Sequence, residues 1–269
     1  IAADDAPPKV ARGWPRERIV GYVFVGLWAL AGIGLLAYLI AVWNVQWFEK
    51  YIPTYIAGLK VTLSLVAGSI LVGAVLSVPI AYARMSRNRL LAALGYGYVY
   101  FFRGTPLLAQ TFLIYYGLGS FKPQFEAIGL WGFFRDAWYC AILAFSLNTA
   151  AYQAEILRGA IRSVPRGQWE GAASLGLHRF QILRKVVLPQ ALIVALRPYG
   201  NEIILMIKGS AVVALITVGD LMGVTRLAYS RSFDFQAYIW AAVFYLTLVE
   251  LLRHGTEWVE RRITRHLKR

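Results

Sequence analysis

An all-α membrane protein is the fold class this sequence predicts, and three observations predict it. Apolar residues make up 58% of the 269 and charged residues only 16%, well away from an ordinary soluble domain. The apolar residues gather in runs near the roughly 20 residues a helix needs to cross hydrocarbon. Basic residues recur at every second connection between those runs, the bias that marks cytoplasmic loops.

The elements follow in order. IVGYVFVGLWALAGIGLLAYLIAV, residues 19–42, carries no charge and predicts a first spanning helix over 19–43. It is too long for a signal peptide, and no small-x-small cleavage site follows it, so a retained helix is expected. The preceding residues 1–18 mix Pro, Ala and both charge signs and read as a mobile cytoplasmic tail. Residues 61–83 predict the second span, with Pro79 late enough to kink it at little backbone cost. Its Ser69, Gly73, Ser77 and Ala81 recur every four residues and form one small-residue face for close helix packing. Residues 90–118, broken by Arg103, predict the third span, and 137–157 the fourth. Residues 190–219 and 237–252 complete a set of six, followed by a basic tail at 261–269.

The net charge of +14 is explained by topology. Lys9, Arg12, Arg16 and Arg18 precede the first span; Arg84, Arg87 and Arg89 follow the second; Arg158, Arg162, Arg166, Arg179, Arg184 and Lys185 follow the fourth. The last segment adds Arg253, Arg261, Arg262, Arg265, Lys268 and Arg269, whereas the alternate loops hold few: Lys50, then Lys122 and Arg135, then Arg226 and Arg231. Both termini are thereby expected in the cytoplasm, and no nucleic-acid partner is needed. Trp43, Trp47, Tyr51, Trp131, Trp138 and Trp258 near span ends suit interfacial belts.

No catalytic signature is present: no phosphate-binding loop, no HExxH, no GxSxG and no CxxC pair. Gly32-Ile-Gly34-Leu-Leu-Ala37 spells GxGxxA but lies inside an uncharged span with no strand before it. Cys140 reads as packing, and His178, His254 and His266 are scattered, so neither an enzyme nor a metal site is expected.

Ionisable residues inside spans are costly unless paired or hydrated. Counting about 1.5 Å per residue, Arg103 lies roughly 20 Å in from Leu90, Asn201 and Glu202 about 17–18 Å from Gln190, and Lys208 about 27 Å. Arg103 and Glu202 could therefore form an ion pair that staples two helices. Alternatively they line a polar cavity, where Arg103 meets a carboxylate and Glu202 an ammonium or guanidinium. Asn148, Tyr152 and Glu155, at i, i+4 and i+7, share one helix face. Asn148 and Tyr152 are pathway candidates, while Glu155 can instead pair with Arg158. Asn201 and Lys208 also share a face.

Between spans four and five, QWEGAASLGLHRFQILRKVVLPQA (168–191) predicts a short helix to Leu175, a break at Gly176, and a second helix over 178–187 ended by Leu188-Pro189. Leu175, Leu177, Phe180, Ile182 and Leu183 would give this hairpin a sticky face, suited to a groove on a soluble partner or to the membrane surface.

Glu170-Gly171-Ala172, three residues, Gly176, nine residues, then Val186-x-Leu188-Pro189 resembles the EAA loop of ABC-importer permeases, E-A-A-x3-G-x9-I-x-L-P. It departs at Gly171 for Ala and at Val186 for Ile. FRGTPLLAQ (102–110), LNTAAYQAEILRGAIRSVPRGQ (147–168) and GNEIILMIKGSAV (200–212) resemble other hallmarks of the polar amino acid uptake family, within which the histidine, arginine, ornithine and opine membrane subunits are most similar. The resemblance implies a five-helix type I permease core over residues 54–260, with a coupling loop at 163–189 and one additional N-terminal helix peripheral to the bundle. It implies a bacterial inner-membrane location and an ATP-driven importer for basic or polar amino acids. Glutamine or glutamate is the alternative cargo, and an ion-gradient-driven secondary transporter or a membrane scaffold the alternative function. The implied partners are a second, distinct permease chain, two ATPase subunits that carry ATP and magnesium, a periplasmic substrate-binding protein and the bilayer. No cofactor is implied for this chain. Glu170, Gly171, Ala172, Gly176, Leu188 and Pro189 would couple it to the ATPase, and Arg103, Asn148, Tyr152, Glu155, Asn201, Glu202 and Lys208 would border the substrate pathway.

Overall fold

The computed structural model describes residues 15–41 and 43–267, so most of the expected N-terminal tail lies outside the described residues. The chain divides into two compact units, residues 1–50 and 51–269. In the first, α1 spans Arg16–Ala41 and is apolar and long enough to cross a bilayer, with no preferred apolar face.

The second unit is built on α2, which begins at Val45 in the first unit and runs to Met85 through Pro53 and Pro79. The helix starts well before the apolar run that announced it, because Val45–Lys60 also holds helix-compatible residues that hydropathy alone does not separate from a loop. Next come α3 (Arg89–Gly104), capped by the Asn88 side chain, which accepts from Leu90 N at 2.9 Å and Leu91 N at 3.3 Å, and α4 (Leu107–Phe112), which continues into a π-helical turn at Leu113–Gly117. The break between them falls at Thr105-Pro106, not at Arg103: Thr105 is extended, as a residue before proline prefers to be, while Arg103 stays helical. Two short helices, α5 (Lys122–Ala127) and α6 (Trp131–Phe134), lead to α7 (Ala137–Ser163), capped by Asp136.

The hairpin follows as α8 (Arg166–Ser174) and α9 (Arg179–Ile182), a second π-helical turn at Leu183–Val187, and then α10 (Leu188–Ser210). Pro189 does not end the helix as expected. The helical backbone runs through it, from the π-helical turn at Leu183–Val187 directly into α10. A 3₁₀ turn at Ala211–Ile216 leads to α11 (Leu221–Ser232), and α12 (Gln236–Ile263) closes the fold. The helices at the six expected spans are thus α1, α2, α3 with α4, α7, α10 and α12. Among the described residues, length and composition alone mark Arg16–Ala41, Val45–Met85 and Arg179–Ile216 as able to cross a membrane.

At the centre, α7 packs against α10, α3 and α4, and α10 against α12. Its core includes Leu65, Phe145, Ile207, Val213 and Ile216, all 1% exposed or less. Cys140 belongs to this core and donates its thiol to the Phe134 carbonyl, consistent with packing. The small-residue face of α2 is where α2 meets α7. Ser69, Ser77 and Ala81 are buried, and a Cβ on Gly73 would lie 2.5 Å from Thr149 Cγ2 and 3.0 Å from Gln153 Nε2. Gly58 makes a similar approach to Val224 and the Asp220 carbonyl of α11.

Gly73→Ala should therefore force α2 away from α7 and cost about 1–3 kcal/mol of stability. Gly159→Ala on α7, with nothing within 4 Å of the added carbon, should leave stability unchanged or slightly raised. Thermal unfolding of the two detergent-solubilised variants separates them; equal melting temperatures would contradict the close α2–α7 approach.

Candidate functional site

Glu202 is the most deeply placed acid among the expected pathway residues, at 4% exposure. It does not meet Arg103: that ion pair is absent among the described residues, and the Arg103 guanidinium lies 5.0 Å from the Tyr152 ring centre instead. Similar depth along two helices does not bring side chains together, because depth fixes only one coordinate and rotation about the helix axis the others. Glu202 faces α7, where Thr149 Oγ1 donates to its Oε1 at 2.8 Å. Gln153 Nε2, one turn along, donates to Thr149 Oγ1 at 3.1 Å and to the Ile70 carbonyl of α2 at 3.2 Å. The Tyr199 hydroxyl donates to Gln153 Oε1. A directed chain of donors thus leaves α10 at Tyr199, crosses to α7 and returns to α10 at Glu202.

A second cluster joins α7 to the α3–α4 break. Asn148, 6% exposed, donates through Nδ2 to the Phe102 carbonyl at 3.0 Å and to Gln110 Oε1 at 2.9 Å. Gln110 in turn donates to the Phe102 carbonyl, the Thr105 carbonyl and Thr105 Oγ1 at 2.9, 3.1 and 2.7 Å. These carbonyls lie where Pro106 interrupts the helical ladder, and the two amides take the place of the missing backbone donors.

Asn148, Tyr152 and Glu155 do share a face, and that face looks onto neighbouring helices. Asn148 and Tyr152 meet Phe102 and Arg103 of α3. Glu155 is held by two arginines, with Arg84 Nε at 2.9 Å and Arg158 Nη2 at 2.6 Å. Its carboxylate is fully engaged, so the Arg158 pairing is the one the structure contains, joined by a partner from α2. Arg103, Asn201 and Lys208 are exposed. Asn201 borders a hollow of about 720 Å³ between α10 and α12, lined also by Arg197, Arg253, Glu257, Glu260 and Arg261, where Arg197 Nε pairs with Glu260 Oε1 at 2.7 Å.

The hairpin stands on a small core of its own, in which Ala172, Ile182 and Val187 pack against Ala160, Ile161 and Val164 of the α7 end. Leu177 and Leu183 turn toward that core with Ile182, leaving Leu175 and Phe180 at 81% and 63% exposure. The expected sticky face is therefore divided between an inner anchor and an outer pair. Gly176 has φ +78°, the left-handed conformation that favours glycine. Glu170 and Gly171 are exposed, Leu188 half-buried and Pro189 exposed.

Gln110, Thr149, Gln153 and Tyr199 were missed by the sequence reading. Thr149 and Gln153 carried a usable signal, polar residues at i and i+4 among alanines in mid-span. Among the described residues no group of His, Cys, Asp or Glu could hold a metal ion. The geometry couples α7 to α10, to α2 and to the α3–α4 break.

Thr149→Val, which keeps shape but removes the donor to Glu202, should cost about 1–3 kcal/mol, and Thr149→Ser should recover most of it. Unfolding measurements on the pair test this; a silent Val variant would mean the seam does not depend on that bond.

Residues 69–265 match the family of binding-protein-dependent transport system inner membrane components. The nopaline transport system permease protein NocM of Agrobacterium fabrum is 43% identical over 204 residues, covering 76% of this chain and 85% of the relative. The arginine ABC transporter permease protein ArtM of Escherichia coli is 36% identical over 213 residues, 79% and 96% of the two chains. Among solved structures, an amino acid ABC transporter with histidines superposes with a TM-score of 0.74 at 33% identity, covering 82% of this chain and 99% of that one. The MetNI methionine transporter, at 21% identity and a TM-score of 0.67, shares the fold. This chain belongs to the binding-protein-dependent transport system inner membrane components, the membrane-spanning permeases of ABC importers.

Proposed function

We propose that the chain is one of two permease subunits of an ATP-driven importer for basic and polar amino acids, opine-like compounds included. The observation that carries this reading is the exposed hairpin: Glu170 and Gly171 on the surface, Leu175 and Phe180 projecting, and Gly176 turning the chain between them. An apolar pair that water would exclude, set on a rigid base, suits a groove on a soluble ATPase. The likeness to nopaline, octopine and arginine permeases supports the cargo class.

In this reading the hairpin and both termini face the cytoplasm, as the basic loops favour. ATP and magnesium are held by the ATPases. Their closure pulls on α8 and α9, and the shared core with α7 and α10 transmits the movement to the bundle. Arg103, Asn201 and Lys208, exposed on long apolar helices, border the hydrated pathway, since lipid would penalise them. Arg103 offers the carboxylate partner of an amino acid. Tyr152, beneath it, holds its guanidinium in place. Asn148, Glu155 and Glu202 shape the pathway from behind, through hydrogen bonds already made, rather than by touching cargo.

The direct test is mild-detergent affinity purification from the native membrane, with partners identified by mass spectrometry, followed by reconstituted uptake. A soluble ATPase and a second permease should co-purify, and ATP-dependent uptake should favour arginine, ornithine, histidine or opines over glutamine and glutamate. A chain that purifies alone and transports without ATP would replace the reading with a secondary transporter. Glu170→Arg should lower ATPase co-purification or ATP-coupled uptake at least about tenfold, a loss of roughly 1.4 kcal/mol of coupling, while the chain still inserts. Gly159→Ala on α7, which meets nothing within 4 Å, should leave both unchanged; unaltered uptake in the Glu170 variant would refute the hairpin assignment.

A further inference from the structure

We propose that a second ligand site, for the guanidinium side chain of an amino acid, lies at the end of the bundle away from the hairpin. It rests on the importer reading for its ligand class. The hairpin follows one end of α7 and this site precedes the other, about 40 Å along a helix of 27 residues. There Tyr115, Tyr116, Trp131, Phe134 and Arg135 line a hollow of about 400 Å³, within the size range of small-ligand sites.

Three features distinguish this hollow from an interfacial belt, in which rings stand singly at the lipid headgroups. First, its rings are braced by other rings. Tyr115 and Tyr116 meet edge to face at 4.9 Å, and Phe134 stacks on Phe125 at 4.2 Å and meets Phe133 at 5.1 Å. Second, the two tyrosines are delivered by the π-helical turn at Leu113–Gly117, closed by the Leu118 N–H to Leu113 carbonyl bond. Such turns interrupt regular helices at a cost in backbone geometry and recur at functional sites. Here the turn places neighbouring residues Tyr115 and Tyr116 on one hollow, as regular helical spacing does not favour. Third, the charges are arranged for a zwitterion with a cationic tail. Arg135 is the one charged lining residue and joins no ion pair among the described residues, so it is available to a carboxylate. The lining holds no acid, leaving ring faces to receive the cation. One face of Trp131 already carries a cation, Lys122 Nζ at 5.7 Å from the ring centre and paired to Glu126 Oε1 at 3.6 Å, so the guanidinium falls to the tyrosine rings and the opposite face. A planar guanidinium stacks on such rings better than an ammonium does.

Trp131 supplies its own probe. The assembled complex, labelled with 5-fluorotryptophan in lipid nanodiscs, is titrated with L-arginine, with agmatine, which lacks the carboxylate, and with L-citrulline, the neutral isostere. Trp131→Phe assigns the resonance. Arginine should shift it saturably and agmatine more weakly, while citrulline should leave it in place. Arg135→Gln should weaken arginine about tenfold and leave agmatine within about twofold, because only arginine uses the charge-assisted carboxylate bond. A resonance unmoved by arginine, or moved equally by citrulline, overturns the site. A saturable arginine shift in a complex that shows no ATP-driven arginine uptake keeps the site and removes the importer reading; uptake without the shift does the reverse.

Discussion

Glu202 sits in a bundle interior where a carboxyl without a donor costs several kcal/mol, and meeting that requirement organises the centre of the molecule. Thr149 supplies the hydrogen bond, Gln153 supplies Thr149, and Tyr199 supplies Gln153. All four must keep their rotation about α7 and α10 for the chain to close, so the two helices are held in register as well as in contact. Gln153 extends the same constraint to α2 through the Ile70 carbonyl. The close approach at Gly73 gives that bond its short reach. A polar network that is fully satisfied makes a packing unique, whereas apolar side chains alone allow sliding and rotation.

The α3–α4 break poses the complementary problem, carbonyls without backbone donors, and is solved by side-chain amides from Gln110 and Asn148. Both solutions are anchored on α7. Together they tie α2, α3, α4 and α10 to α7, while Arg103, Asn201 and Lys208 stay exposed. The hairpin shares this economy. Its apolar residues are divided, with Ile182 buried at the base and Leu175 and Phe180 left over for contact. The proposed coupling role would use this division, the outer pair meeting the partner while the base holds the hairpin to the end of α7.

The fold class and the helix pair of the hairpin were legible in the sequence because apolar length, loop charge and a glycine break are local properties. The spans at 61–83 and 137–157 each fall within an observed helix, as do residues 19–41 of the first span. The small-residue stripe of α2 was legible for the same reason, since every-fourth-residue spacing defines a face wherever that face points. Glu155 and Arg158, three residues apart, could be paired from sequence alone. Arg84, the second partner, could not, because it lies on a different helix.

How much of this chain must be helical, which segments suit lipid, where a helix meets proline or glycine, and which motifs mark the family all follow from residue order alone. Only the tertiary structure decided that Arg103 lies over Tyr152 and Glu202 under Thr149. Only it brought Tyr115, Tyr116 and Trp131 to one hollow, through a π turn that no hydropathy pattern records. The physical reason is common to both. Hydrophobicity is a scalar along the chain and fixes depth, but hydrogen bonds and ring contacts are directional, and direction is set by how helices rotate against one another once packed.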